Sequence, residues 1–383
     1  MGISESIRYV GVNDHKTDLF EGMYEIPNGI SYNSYVILDE KIAVMDSVDA
    51  GFTEEWLNAV RETLGGRTPD FLIIQHMEPD HSASAGRFME QYPEAVLVAS
   101  ARAFTMLKGY FGTEYENRRI IVKEGDKLVL GEHSLTFLEA PLVHWPEVIV
   151  TYEEKEKILF SADAFGKFGA LDVEEAWTCE ARRYYFGIVG KFGAAVQKLL
   201  QKLSGLDIHF ICPLHGPALT EELPYYLGLY HTWSSYEAES DGIFIAYASV
   251  YGNTKKAVEY LEEVLRKKGK TVAVADLCRD DMAEAVEDAF RYKNMVLASV
   301  TYNGTVFPPM REFLANLVER NYQNRAIGLL ENGSWAPGAA MAMRRTLGAC
   351  KNLHFLTPTV TIRCSLDEES AAELNKLAEE LLS

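Results

Sequence analysis

Beyond residue 240 the chain alternates short, uninterrupted apolar blocks with stretches of helical period. It reads GIFIAYAS, a helix from Thr254, TVAVADLC, a helix from Asp281, NMVLASV, a helix from Pro308, RAIGLLE, a helix from Ala336, LHFLTPTVTI and a final helix. Fully apolar strands separated by helices predict a doubly wound, five-stranded parallel sheet covered on both faces. The first 240 residues are less even. Strands are expected at NSYVIL, KIAVMDS, FLIIQ, AVLVAS, RRIIVK, SLTFLEA, VIVTY, KILFSAD and IHFICPL, with helices near 52–65, 84–91, 101–111, 187–204 and 220–238. Strands arriving in pairs with helices between them predict an α/β sandwich of the αββα type. The polar run between them, HTWSSYEAESDG, places a domain boundary near residue 240, giving domains 1–240 and 241–383.

Composition narrows the function classes. The 383 residues are 48% hydrophobic and 24% charged, as in a folded globular protein. No apolar run reaches the roughly 20 residues of a membrane helix. The start, MGISESIRYVGVND, lacks the basic end and apolar core of a signal peptide, so a cytoplasmic location is expected. Five cysteines with no CxxC pair exclude a disulfide framework, a zinc knuckle or a rubredoxin-type iron site, and are expected to pack as small apolar residues. The net charge of −19 falls almost wholly in the first 240 residues and argues against a nucleic-acid partner.

The densest chemistry lies in FLIIQHMEPDHSAS. A buried strand stops at His76, Glu78, Asp80 and His81, four metal-ligand side chains in six positions. Neither a strand nor a helix can aim all four at one point, but a loop at a strand's C-terminal end can, and chemistry on α/β folds sits there. Three more ligand-type residues follow apolar strands: His144 after FLEAPLV, Asp163 after KILFSA, and His215 after IHFICPL. Four histidines and three carboxylates suit a two-metal site. His15, His133, His209, His231 and His354 lack such neighbours and read as hydrogen-bonded structural residues.

A second group lies at strand ends of the C-terminal domain, whose size and rhythm are flavodoxin-like. SVYGNT, comprising Ser249, Val250, Tyr251, Gly252, Asn253 and Thr254, offers hydroxyls and free amides at a helix start, a phosphate cradle needing no positive charge. Val300, Thr301, Tyr302, Asn303 and Gly304 form a second loop; Asn332, Gly333, Ser334, Trp335 and Ala336 form a third. Tyr302 and Trp335 could stack on an isoalloxazine ring, with Asn303 and Asn332 on its polar edge.

The order H-x-E-x-D-H, His, Asp, His resembles the metallo-β-lactamase superfamily, whose dizinc members carry H-x-H-x-D-H. The carboxylate at Glu78 adds negative charge and a hard oxygen, which favours iron. With NGISYNSYVI, HMEPDHS, HWP and the flavodoxin-like domain, the chain resembles the flavodiiron proteins over essentially its whole length. That resemblance implies one iron on His76, Glu78 and His144, a second on Asp80, His81 and His215, and Asp163 bridging them. His81 is not a ligand in every member. Glu147 stands where HWPD has an aspartate, and Ala248 and Val300 depart from a common Asp and Pro.

The resemblance further implies FMN rather than a dinucleotide. It implies reduction of O2 to water, NO to N2O, or both, with electrons from an external donor such as rubredoxin or another reductase. It also implies a head-to-tail homodimer, or a dimer of dimers, setting each flavin beside the partner's irons. Tyr184 and Tyr185 are candidate proton donors near the metals, with packing the simpler reading. The competing reading is a dizinc hydrolase with an accessory flavodoxin-like domain, against which Glu78 counts. A pure electron-transfer flavoprotein and a deazaflavin oxidase remain further alternatives.

Overall fold

The computed structural model describes residues 3–382, in two compact units, Met1–His231 and Thr232–Ser383. In the first unit a six-stranded sheet runs in the order Ile7–Tyr9, Tyr35–Ile37, Ala43–Met45, Phe71–Ile73, Val96–Ser100, Arg119–Val122. A five-stranded sheet orders Lys127–Val129, Ser134–Glu139, Ile149–Glu153, Ile158–Phe160 and Phe210–Cys212. Their inner faces share one core: Ile37, Met45, Ile73 and Val98 from the first meet Leu135, Phe137, Ile149 and Phe160 from the second. That is the expected sandwich.

Helices follow the strands as the periodicity indicates. Thr53–Leu64 buries Trp56, Leu57, Val60 and Leu64 on one face and ends at Gly65, whose φ of +56° closes the last turn. Ala101–Phe111 starts on Ser100, whose hydroxyl accepts the Ala103 N–H. Strands Phe71–Ile73 and Val96–Ser100 are parallel, as are Ile158–Phe160 and Phe210–Cys212. Their C-terminal ends, with the turn after Ser134–Glu139, carry every ligand-type residue named above.

In the second unit the parallel strands lie in the order Val272–Asp276, Ser240–Ala248, Tyr292–Tyr302, Ala326–Asn332, then the last strand. This 2-1-3-4-5 order defines a flavodoxin-like sheet. Two details differ from expectation. LHFLTPTVTI is not one strand but two short ones, His354–Phe355 and Val360–Ile362, both pairing with Ala326–Asn332. Pro358, lying between them, has no N–H to give the ladder, and the Thr357 N–H donates instead to Glu380. Of the five cysteines only Cys212 is buried; Cys179 and Cys364 are exposed. Their positions on a helix and past a strand end, rather than their apolarity, set that exposure.

Candidate metal centre and flavin edge

All seven expected ligands converge at one end of the sandwich. His76, Glu78, His144 and Asp163 form one group, and Asp80, His81 and His215 a second. Glu78 ends the irregular stretch after the strand Phe71–Ile73, and Pro79 starts the short helix Pro79–Ser82 that turns Asp80 and His81 inward. In the first group the edges are short and nearly equal. His76 Nε2 lies 3.1 Å from Glu78 Oε2, 3.3 Å from His144 Nε2 and 3.2 Å from Asp163 Oδ2. His144 Nε2 lies 3.0 Å from Glu78 Oε2 and 3.1 Å from Asp163 Oδ2. A tetrahedron of ligands at about 2.0 Å from its centre has edges of about 3.3 Å, so these atoms already bound a metal-sized hole.

The second group is held alike. His81 Nε2 stands 3.0 Å from His215 Nε2 and 3.3 Å from Asp80 Oδ2, and His215 Nε2 lies 3.3 Å from the same oxygen. Asp163 Oδ1 reaches this group, 3.3 Å from His81 and 3.8 Å from His215, while its Oδ2 faces the first.

The hydrogen bonds fix which nitrogens carry lone pairs. His76 Nδ1 donates to Glu147 Oε1 at 2.8 Å, and His215 Nδ1 donates to the Ser31 carbonyl at 2.7 Å. Their Nε2 atoms are therefore acceptors, aimed at other imidazole nitrogens and at carboxylates. Both oxygens of Asp80 and both of Asp163 are buried without a hydrogen-bond partner among the described residues. Lone pairs converging in a dry site repel unless cations lie between them. Without metal the cluster compensates by holding protons. Although burial opposes the charge, the neighbouring Asp163 and Glu78 carboxylates push His144 up to about 9, and Asp163, Glu147 and Glu78 raise His76 well above its usual value. The same imidazoles, outweighing desolvation, hold Asp163 well below the usual range. The donor set fits two metal ions.

Around the ligands, Glu147 Oε1 also accepts the Met77 N–H at 2.9 Å, so one carboxylate fixes ring and backbone together. Trp145 packs edge-on against His76, with ring centres 5.2 Å apart. Tyr184 is buried with its ring 5.5 Å from that of His215, whereas Tyr185 packs on Phe186 and Tyr230. Two residues beside the candidate ligands, the buried Asp46 and the exposed Glu21, are not evident in the sequence. Asp46, fully buried, accepts the Gln75 N–H at 2.7 Å and Gln75 Nε2 at 2.8 Å, and burial pushes its carboxyl up to about 6. Glu21 sits beside Glu78, and desolvation with that carboxylate's charge pushes it up to about 7. A lone acid in a loop carries no sequence signal of either role.

The flavin edge has a different character. Gly252, with φ +86°, precedes the 15-residue helix Asn253–Lys267, and the space beside its Cα is open. The Ser249 hydroxyl accepts the Gly252 N–H at 3.1 Å, folding the loop around that opening. Val250 is partly exposed, Tyr251 is 93% exposed and Thr254 is buried. Thr301 Oγ1 accepts the N–H groups of Gly338 and Ala339, tying the second loop to the third. Tyr302 is 43% exposed and Trp335 81%. Asn303, Gly304 and Ala336 have positive φ, and Val300 pairs with Asn332 across the strands. Asn332 is buried, its side chain on the Cys364 carbonyl, between Gly333, Ser334 and that neighbouring strand end. Aromatic faces in solvent beside an open helix N-terminus suit a flat phosphorylated cofactor.

Fold and site together define a two-domain metalloprotein with a flavodoxin-type module. Residues 30–216 match the model of the ODP family beta lactamases, and residues 244–341 that of a flavodoxin domain. The chain is 29% identical to the nitric oxide reductase of Moorella thermoacetica, over 95% of this chain and 93% of that protein. It is 28% identical to the anaerobic nitric oxide reductase flavorubredoxin of Salmonella arizonae, over 88% and 73% respectively. Rubredoxin oxygen:oxidoreductase of Desulfovibrio gigas superposes with a TM-score of 0.92 at 23% identity, over 100% of this chain and 97% of that one. The flavodiiron protein of Giardia intestinalis gives 0.92 at 24%, over 99% and 95%. The chain thus joins an ODP-family beta-lactamase domain to a flavodoxin domain, the fold and domain order of the flavodiiron proteins to which it is similar.

Proposed function

We propose that this protein reduces O2 to water, NO to N2O, or both, at a diiron site on residues 1–240, with electrons relayed through FMN on residues 241–383. The observation that carries this reading is Asp163, whose two oxygens face two separate groups, each with two imidazoles and a carboxylate. His76, Glu78 and His144 would hold one iron, Asp80, His81 and His215 the other, with Asp163 between them. His81 is included because its Nε2 faces Asp80, Asp163 and His215 at 3.0–3.3 Å.

When bound, the iron pair and FMN together supply four electrons and Lewis-acid sites for the diatomic substrate. O2 consumes four electrons and four protons to give two waters; two NO consume two of each to give N2O and water. The chain does the rest. Three ligand carboxylates balance the metal charge, and Glu78, where the hydrolases have a histidine, tips the choice toward iron. Glu147 and the Ser31 carbonyl hold His76 and His215 in the tautomer that leaves Nε2 free. The half-buried Trp145 and the buried Tyr184 and Phe20 wall the site.

Val250, Tyr251, Gly252, Asn253 and Thr254 with Ser249 would take the FMN phosphate. Residues 300–304 and 332–336 would take the ring. The names of the Salmonella and Desulfovibrio proteins support rubredoxin or a related reductase as the external donor. Among the described residues no helix is long and apolar enough to cross a membrane, in keeping with a cytoplasmic enzyme. A head-to-tail homodimer or dimer of dimers completes the reading, and light scattering checks it. Anaerobically reduced protein of known iron and FMN content should consume O2 or NO, each assayed separately. Hydrolytic turnover by a dizinc form, with neither gas consumed by the iron form, would establish the hydrolase instead.

A further inference from the structure

We propose that Lys167 is a positioning residue for the second metal position, setting the separation between Asp163 and His215. The proposal rests on the diiron reading above. Lys167 lies four residues beyond Asp163 and is only 4% exposed, an unusual burial for a lysine. Its Nζ donates to Glu175 Oε2 at 2.9 Å, and the other oxygen of Glu175 accepts Asn28 Nδ2 at 2.8 Å. The loop leaving Asp163 is thereby tied to residues 28–31. Backbone bonds tie it again: Gly169 N–H to Gly29 O at 3.0 Å, and Ala170 N–H to Asn28 O at 2.9 Å.

Residues 28–31 in turn hold His215. The Ser31 carbonyl takes its Nδ1–H, and the Ser31 hydroxyl accepts the Gly216 N–H at 2.8 Å. The third side of the ring is the lysine stem itself. A Cβ on Gly216 would stand 2.6 Å from Lys167 Cγ, and a Cβ on Gly169 would stand 2.7 Å from Glu175 Oε2 and 3.2 Å from Lys167 Nζ. Both glycines have positive φ, +79° and +100°, so each is fixed by conformation as well as by the space this ion pair takes.

A closed ring thus runs from Asp163 through Lys167 to Gly216 and His215, and back through Ser31, Asn28 and Glu175. The edge it spans is Asp163 Oδ1 to His215 Nε2, at 3.8 Å the widest in the second group, whose other measured edges are 3.0–3.3 Å. Of the first group only Asp163, which faces both positions, lies on this ring; His76, Glu78 and His144 are held by other contacts. Lys167 is buried and Glu175 21% exposed at the side chain, so removing the lysine charge frees Glu175 to turn further toward water and releases the loop. His215 belongs to the second position alone, so the shift would weaken that position more than the first, where His76, Glu78 and His144 stay in place.

The test is Fe(II) binding to full-length, FMN-loaded protein by chelator competition, with Mössbauer spectra of the loaded samples. Lys167→Met keeps the stem's length and burial but removes the charge. It should hold the first Fe(II) within about twofold of the parent and the second at least tenfold more weakly, with one quadrupole doublet depleted. Glu175→Gln removes the charge but keeps one oxygen to accept from Lys167 Nζ, its amide donating to Asn28 once that side chain turns over; it perturbs folding less and should show the same selective loss at about threefold. If either folded variant binds both equivalents like the parent, or loses both in step with its thermal midpoint, the positioning role is wrong. If the parent itself takes up no iron pair, the diiron reading has failed before this proposal is reached.

Discussion

The metal end and the flavin end of this chain solve the binding problem in opposite ways. At the metal end the candidate ligands are side chains in place before any ion arrives: His76, His81, Asp163 and His215 are at most 1% exposed, and His76 and His215 are oriented by hydrogen bonds from outside the site. At the flavin end the binding groups are loops and exposed aromatic rings, with Tyr251 and Trp335 almost wholly in solvent. A metal site must be dry and charge-matched, so the protein stores repulsion there that cations relieve. A flavin brings its own large apolar surface, so its site can stay open and use backbone amides.

The contrast is sharpest at the shared carboxylate. Asp163→Ala removes the group that faces both metal positions; gas consumption should fall more than 100-fold and iron should drop from two per chain to one or fewer, while FMN content stays unchanged. Metal removal comes next. Chelation should lower the thermal transition of the first unit by roughly 10 °C, because ions that bind only the folded state stabilise it by mass action. Calorimetry should show the second unit's transition unmoved, and FMN removal should do the converse. A single transition shifting with either ligand would break the comparison.

A smaller effect is expected for Trp335→Ala. Losing one stacking face costs about 1 kcal/mol, roughly a fivefold weaker FMN affinity by fluorescence titration, with iron content intact. The last concerns Asp46 in metal-free protein. Its folded pKa of about 6 lies above the unfolded value, so its charged form costs stability when buried. Wild-type apoprotein should therefore lose stability as pH rises from about 4 to about 6, by at most about 1.4 kcal/mol for each pH step of one. Asp46→Asn should flatten that slope, since Gln75 can turn its unpartnered Oε1 to accept from the new amide. Urea denaturation across that range reads the difference.

The sandwich and the flavodoxin-like sheet were both legible, because buried strands and amphipathic helices differ in period. The seven residues that converge were legible because each follows an apolar strand, a pattern that survives without coordinates. What stayed hidden depends on contacts between distant segments. Asp46 looks like any strand-end acid until Gln75 is placed over it. Lys167 looks like a surface charge until Gly216, Gly169 and Glu175 close around it. The break at Pro358 was readable in principle, since proline cannot serve a ladder, but the apolar residues flanking it suggested continuity. The helix Trp177–Tyr184 and the wider turn Tyr185–Val189 after it were also not foreseen. There the aromatic residues face several partners rather than one side.

The most direct test is a 57Fe Mössbauer spectrum of anaerobically purified protein reconstituted with Fe(II) and FMN, recorded before and after oxidation with a stoichiometric amount of O2. The account predicts two irons and one FMN per chain, with the oxidised pair magnetically coupled into a diamagnetic ground state. Uncoupled high-spin ferric iron, or one iron per chain in protein that has bound FMN normally, would contradict it.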